Sequence, residues 1–431
     1  MSGSIERPSA AFDPTDLRDR RITVVGIHYA PETTGNAPYT TGLCQFLVEA
    51  GAEVTMVTGL PHYPEWQVAQ GYGESAVATE TLDGVRVIRA RHYVPTKQSA
   101  ATRARFEASF LINGRRAARM ARAADAVIAV TPTLSAAVVG AELARRVHAP
   151  LGIVVQDLVG SAAQQSGIEG GARVAGLAGA LEKRVLDRAD RIAVIAPGFA
   201  DALAADGIDK SKVQWLRNYS HVTASAHSRE QARIALGWPV EGFLAVHTGN
   251  MGLKQDLGNL LDAARSLKDR DDITFVMVGD GNQRQMLQTM AADLPRVLFV
   301  DPLPAALYPD ALAAADVLLL NERDGMKDMS LPSKLTSYFV AGRPVVAAVT
   351  PGGETARELE RSGGAIVVPA GQPQVLAATL TRIADGEIDT DALALQGATY
   401  AANELSIGAA RRGWLGFVAD VLNTPSRRRH S

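Results

Sequence analysis

RITVVGIHYAPETTGNAPYTTGLCQFLVEAGAEVTMVT, residues 21–58, holds one full period of an α/β chain. RITVVGI (21–27) is β-branched and apolar, as a strand covered on both faces must be. YAPETTGNAP supplies the Pro, Thr and Gly of a loop. From Tyr39 to Ala50 apolar residues return at helical spacing, and Gly51 suits the left-handed position that closes a helix. EVTMVT (53–58) is a second strand. Strand, loop, helix, strand in this length predicts a βαβ unit with parallel strands.

The pattern repeats outward. Further strands are expected at Val85–Arg89, Ala126–Val130, Leu151–Val155 and Arg191–Ile195, with helices over Arg103–Ala123, Thr133–Arg146 and Gly171–Arg188. NYSHVTASAHSR (218–229) is polar and aperiodic, which marks a boundary. Beyond it come strands at Phe243–His247, Ile273–Val278, Val297–Val300, Asp316–Leu320, Val345–Val349 and Ala365–Val368. Helices near Leu257–Leu267, Arg284–Ala292 and Lys334–Val340 separate several of these strands. The expected plan is a flexible leader (1–20), an α/β domain (21–217), a linker (218–229), a second α/β domain (230–405), then a helix packing back on the first domain and a basic tail (406–431). Two open α/β sheets bind ligands at the carboxyl ends of their strands, so the expected site is the cleft between domains.

Composition agrees. The 431 residues are 47% hydrophobic and 21% charged, and only 5% are aromatic, so the cores are aliphatic. A net charge of −2 predicts no general affinity for nucleic acid. Cys44, the single cysteine, excludes an intramolecular disulfide and sits among Leu43, Phe46 and Leu47 as a small core residue. No apolar stretch reaches membrane-spanning length, because Ala126–Ala144 is interrupted by Thr131, Pro132, Thr133 and Ser135. With no signal sequence in the leader, the expected location is the cytoplasm.

Four loops after strands could carry chemistry. Gly35 and Asn36 precede a helix, where glycine permits close approach and free amides favour an anion; a plain flexible turn reads the same way. TGNMGLKQD (248–256) offers Gly249, Asn250, Gly252 and Lys254 ahead of a helix, although Lys254 could equally be a solvated surface charge. VGDGN (278–282) places Gly279, Asp280 and Gly281 between strand and helix, but Arg284 stands where the third fingerprint glycine belongs. MSLPSKLTSYFVAGRPVVA (329–347) puts Pro332, Ser333 and Lys334 at a helix start, with Ser330 as a possible cap. A lysine in a first helical turn opposes the helix dipole unless an anion arrives. Together the three loops of the second domain describe a diphosphate site.

In the first domain Gln156 and Asp157 end the strand LGIVVQD; the pair could contact a sugar, or Asp157 could simply cap a helix. His28 and His62 follow strands without a metal-binding spacing, so no metal site is assigned. Residues 97–122 hold Arg103, Arg105, Arg115, Arg116, Arg119 and Arg122 against one acid, Glu107, with Phe106, Phe110, Ala117 and Met120 at helical spacing. Such a helix could meet an anionic membrane or a phosphorylated lipid, helped by the tail Arg427–Arg429, or could pack on its own domain.

HYAPETTGNAPYTTGLCQFLVEAGAEVTMVTGLPHYP, HTGNMGLKQDLGNLLDAA, FVMVGDGNQRQML and MSLPSKLTSYFVAGRPVVA resemble the motifs of family 4 glycosyltransferases, in the branch acting on exopolysaccharide and O-antigen, including colanic-acid-type fucosyl- and N-acetylfucosaminyltransferases. The resemblance spans residues 21–420. It implies the GT-B fold: two Rossmann-like domains whose parallel sheets face an interdomain cleft. It implies a hexosyltransferase that moves a sugar from a nucleotide diphosphate to a glycan, often one carried on polyprenyl diphosphate at the inner membrane face. Retention of configuration, no metal and no cofactor beyond the nucleotide sugar are implied too.

Carried over by position, Lys254 would touch the diphosphate, and Gly35 would let the acceptor-side loop approach it. Gly279 and Gly281 would line the nucleotide pocket, with the loop from Val300 to Pro304 beside the base. Gln156 and Asp157 would stand near the reacting sugar, and Lys334 would meet the leaving phosphates. The helix carrying Arg103, Arg115, Arg116 and Arg119 would face the acceptor or membrane. The chain departs from the wider family at Asn250, where arginine is usual, and at Met329 and Ser337, where paired glutamates are usual. Ser337 would offer the ribose a hydroxyl instead. Two other readings stay open: a nucleotide-sugar 2-epimerase on the same fold, and a non-catalytic sugar-nucleotide-binding scaffold.

Overall fold

The computed structural model describes residues 16–96, 99–158, 171–325 and 332–424. Two compact units divide the chain: Met1–Leu216 with Arg411–Ser431, and Arg217–Ala410. Ser330, Met329 and the basic tail lie outside the described residues.

The first unit is built on eight strands: β1 (Arg21–Val25), β2 (Glu53–Gly59), β3 (Val77–Leu82), β4 (Val85–Ala90), β5 (Ala126–Val130), β6 (Leu151–Val155), β7 (Arg191–Val194) and β8 (Val213–Trp215). Their order is β3-β4-β2-β1-β5-β6-β7-β8. AVIAV of β5 and LGIVV of β6 are buried at every position, which is why they lack strand alternation. One correction concerns the expected all-parallel sheet: β3 pairs antiparallel with β4 at the edge. Its turn is Asp83-Gly84, with φ of 48° and 79°, the left-handed pair that a two-residue hairpin requires. VATETL is polar because an edge strand faces water.

Residues 16–20 are not a loose leader. Leu17 is fully buried, its N–H donates to the Ala50 carbonyl at 2.7 Å, and the Glu53 N–H donates to the Arg20 carbonyl at 2.8 Å. The C-terminal helix, Ile407–Leu422, buries Trp414, Phe417, Val418 and Val421. A β-carbon on Gly152 of β6 would come 2.8 Å from Val421 and 3.1 Å from Phe417, so the helix lies directly on the strand backbone there.

The second unit has six strands, all parallel: β9 (Phe243–Thr248), β10 (Ile273–Val278), β11 (Val297–Val300), β12 (Val317–Asn321), β13 (Val345–Val349) and β14 (Ala365–Pro369), in the order β11-β10-β9-β12-β13-β14. Alternate residues feed two cores: Leu318 and Val345 pack with Tyr338 on one face, Leu319 and Val346 with Leu376 on the other. Each such side chain contributes about 1.5–3 kcal/mol by leaving water. The stretch expected as a linker, 218–229, is part of this unit. The Ser220 N–H donates to the Leu405 carbonyl at 3.0 Å, and Ser228 caps the helix Arg229–Leu236 in a reciprocal pair with Gln231.

Candidate functional site

In the second unit the loops after β9 and β10 are fastened to each other through backbone. Gly249 N–H donates to the Val278 carbonyl at 2.8 Å, Met251 N–H to the Asp280 carbonyl at 2.8 Å, and Gln283 N–H to the Met251 carbonyl at 2.9 Å. Gly279 N–H donates to the carbonyl of Val300 at 3.0 Å. This approach explains the glycines. A β-carbon on Gly279, at φ +133°, would stand 2.1 Å from the Gly249 carbonyl oxygen. The amides of these glycines are engaged within the protein. Gly252 donates to the Gln255 side chain at 3.1 Å, and Gly281 to the Asp280 carboxylate at 2.8 Å.

The charge beneath this loop pair belongs to Lys334. Its helix, Lys334–Val340, places the half-buried side chain so that a β-carbon on Gly249 would lie 3.6 Å from the ammonium nitrogen. Lys334 Nζ is 3.4 Å from Nε2 of His247, a fully buried imidazole whose Nδ1 donates to the Leu319 carbonyl at 3.2 Å. Burial, reinforced by the nearby lysine, drives the His247 pKa well below its usual value, so Nε2 presents a lone pair to the ammonium. Burial draws Lys334 itself down to about 7, opposed by the charge of Glu322. Glu322, just past β12, is pushed up to about 7 by burial, against a 3.0 Å bond from Thr355 Oγ1 and the attraction of Lys334. A lysine so nearly neutral is an ammonium that an arriving anion would complete.

Other expected donor residues lie in the same unit. Ser337 is buried, donates to the Lys334 carbonyl at 2.9 Å, and lies 3.5 Å from the Tyr308 hydroxyl. Tyr308 and Tyr338 hydroxyls meet Thr248 Oγ1 at 3.0 and 3.2 Å, a hydroxyl chain under the Gly249 loop. Pro332 leads into the helix and Ser333 stands at its cap position without a side-chain cap bond. Asn250 is exposed, its side-chain amide 3.3 Å from Gln255 Oε1. Lys254 is exposed, and its carbonyl accepts from Arg323 N–H at 2.9 Å. Val300 is half-buried at the end of β11.

Gly35, Asn36, Gln156 and Asp157 belong to the first unit. Gly35, at φ +63°, packs so that a β-carbon would meet the Tyr63 ring at 3.1 Å. Asn36 heads the helix Ala37–Glu49, its carbonyl accepting from Thr40. Gln156 is buried and Asp157 half-buried at the end of β6.

Sequence spacing missed a cluster in the β1 loop. His28 Nδ1 lies 2.8 Å from Glu32 Oε2, while Glu32 Oε1 accepts the backbone N–H groups of His62 (2.8 Å) and Tyr63 (2.9 Å). Burial alone would raise the Glu32 carboxyl, but His28 and the two amides outweigh it and hold it below the usual range. The His28 and His62 rings stack at 5.1 Å, and His92 stands edge-on to His62 at 4.7 Å. Burial lowers the pKa of His62 and takes His92 to about 3, so both are neutral. Ligand atoms of His28, Glu32 and His62 all lie within 4.8 Å of one another, a donor set able to hold a metal. The carboxylate is nevertheless satisfied by protein donors. His28 and His62 were named from the sequence as loop histidines; Glu32, which joins them, was missed, although its i,i+4 spacing from His28 was a signal.

The basic helix, Ala100–Met120, spends its apolar stripe on its own unit: Phe106, Phe110 and Ala117 are fully buried. Arg103 pairs with Glu107 at 3.1 Å and Arg115 with Glu142 at 2.6 Å. Arg116 bonds Asn113 Oδ1 at 2.8 Å; it and Arg119 are exposed, beside exposed Ile112 and Met120. Among the described residues no helix is long and apolar enough to cross a membrane.

Residues 34–218 match the family model described as a glycosyl transferase 4-like domain, and residues 242–385 match glycosyl transferases group 1. The chain is 30% identical over 341 residues to WcaI of Escherichia coli (strain K12), named as a glycosyl transferase of colanic acid biosynthesis; the match covers 76% of this chain and 83% of WcaI. Among solved structures, sucrose-phosphate synthase from Thermosynechococcus elongatus superposes with a TM-score of 0.72 at 16% identity, covering 94% of this chain and all of that one. Anabaena Alr3699/HepE in complex with UDP-glucose gives 0.62 at 18% identity, covering 93% and 99%.

Proposed function

This chain belongs to the family 4 glycosyltransferases of the GT-B fold, and on that premise we propose that it builds a cell-surface polysaccharide by transferring a hexosyl group from a nucleotide diphosphate sugar. The observation that carries the donor reading is Lys334, whose ammonium lies half-buried under the backbone-locked Gly249 and Gly279 loops with its pKa drawn toward neutrality. A diphosphate above that loop pair would stabilise the charged lysine. As the glycosidic bond breaks, charge grows on the departing phosphate, and a fixed cation there lowers the barrier. The complex of HepE with UDP-glucose supports a nucleotide sugar as the ligand class.

In this reading transfer retains configuration and needs no metal, and Gln156 and Asp157 are sugar-contacting residues. The acceptor is a glycan on polyprenyl diphosphate. The protein works peripherally at the inner membrane face, held by the exposed Arg116 and Arg119 with Ile112 and Met120 at their side, because the buried stripe of that helix is not free for lipid.

The test is thermal unfolding of the full chain with UDP, GDP, dTDP and ADP, alongside Lys334→Ala. A nucleotide at 100 times its dissociation constant stabilises by about 2.7 kcal/mol. We expect one of the four to give that shift and Lys334→Ala to abolish it. A flat response to all four would overturn the donor site.

A further inference from the structure

The first unit contains a cavity of about 610 Å³ between the loop after β2, the segment after β4 and the helix Ala100–Met120. We infer that this cavity is a subsite for an anionic sugar residue of the acceptor glycan, bound by Arg91 and Arg105 over an aromatic floor. The inference rests on the glycosyltransferase reading and adds to it a substrate class.

Charge makes the first argument. No carboxylate lines the cavity, and neither Arg91 nor Arg105 has an ion pair among the described residues. Their neighbours differ: on the same helix Arg103 and Arg115 are neutralised by Glu107 and Glu142. Arg105 instead lies over the Tyr93 ring, its guanidinium carbon 4.2 Å from the centroid, which steadies the side chain and leaves its donors for a ligand. A guanidinium is the side chain best shaped for bidentate hold on a carboxylate or phosphate.

Rigidity is the second. Ser109 Oγ accepts the Tyr93 N–H at 2.8 Å, and Asn113 Nδ2 donates to the Arg91 carbonyl at 2.7 Å. The helix thus pins the backbone that carries Arg91 and Tyr93, and the Tyr93 ring steadies Arg105, so part of the cavity wall is fixed before any ligand arrives.

Third, the floor suits a sugar. Trp66 and Tyr93 present half-buried rings, and the C–H face of a pyranose stacks on such surfaces while its hydroxyls seek polar groups like that of Gln67. Trp66 adopts φ +52°, a left-handed conformation costly for a bulky residue. Its ring is braced edge-on against His62 at 5.7 Å and Tyr63 at 6.0 Å, so packing enforces the unfavourable backbone and sets the indole at the cavity.

The experiment is ligand-observed NMR titration of the full chain with methyl β-D-glucuronoside, methyl β-D-glucoside and glucose 6-phosphate, with nucleotide binding measured on the same samples. We expect the glucuronoside or the sugar phosphate to bind at least tenfold more tightly than the neutral glucoside. Whichever anion wins identifies the group as carboxylate or phosphate. Arg105→Gln should weaken that binding about tenfold and leave nucleotide affinity unchanged; since Arg105 is exposed, the fold is not at risk, and Arg91→Gln provides a second reading. Equal binding of all three sugars, binding of none, or indifference to both substitutions overturns the inference. Failure to bind nucleotide would strike the donor reading alone, because the sugar comparison is read separately.

Discussion

The two units share a plan of parallel strands with candidate site loops at their carboxyl ends, yet they equip those ends differently. After β9 and β10 the second unit uses backbone: glycines let two loops touch, and one lysine sits beneath. After β1, β2 and β4 the first unit uses side chains: a carboxylate shared by His28 and two amides, a packed set of histidines, and arginines beside aromatic rings. The contrast fits the chemistry proposed for each. A phosphate presents the same oxygens in every donor, so one cation positioned by a compact backbone frame suffices. A glycan differs from its relatives in hydroxyls, faces and charges, which only varied side chains can read.

The largest effect should come from putting a methyl group into the backbone frame. Gly279→Ala adds a β-carbon 2.1 Å from the Gly249 carbonyl oxygen at a φ only glycine holds comfortably. We expect it to destabilise the second unit by about 3 kcal/mol or more and to abolish nucleotide binding, as followed by calorimetric unfolding and titration. An equally stable variant would break the comparison at its root.

Next in size, Glu32→Gln removes the charge that His28 and two backbone amides share. A loss of about 1–3 kcal/mol is expected from urea unfolding at pH 7, with nucleotide affinity intact. Because the folded carboxyl is held below its unfolded pKa, its contribution is present above the ordinary carboxylate range and fades as pH falls through the folded value. Wild type and variant should therefore converge in acid.

The smallest effect is a pH signature. With Lys334 drawn down to about 7, the free protein carries it largely neutral above that pH, and a bound diphosphate recharges it by taking up a proton. Nucleotide affinity should fall as pH rises from about 7 to 9. Calorimetry at pH 8 in buffers of different ionisation enthalpy should show uptake approaching one proton, and Lys334→Ala should show none. Uptake that persists in the variant would transfer the role to another group.

Much of this was legible in the chain. Strands such as AVIAV and ITFVMV announce themselves because burial on both faces leaves only apolar residues. Lys334 stood out because a cation opposes the helix dipole there. Edge strand β3 and three-residue β8 escaped because edges face water and short strands carry little pattern. Residues 16–20 looked like leader because one buried leucine, Leu17, leaves no periodicity to read. The Glu32 cluster and the arginine-lined cavity are assembled from loops tens of residues apart, and no spacing rule spans them.

The last helix brings a consequence for synthesis. Phe417 and Val421 lie on the strand holding Gly152, yet the whole of the second unit is translated between them. The second unit can fold as soon as it leaves the ribosome, while the first emerges earlier and waits for the helix that lies on β6. A chain arrested before residue 411 would thus be a substrate for chaperones rather than a shorter enzyme, and the order of completion is the reverse of the order of emergence.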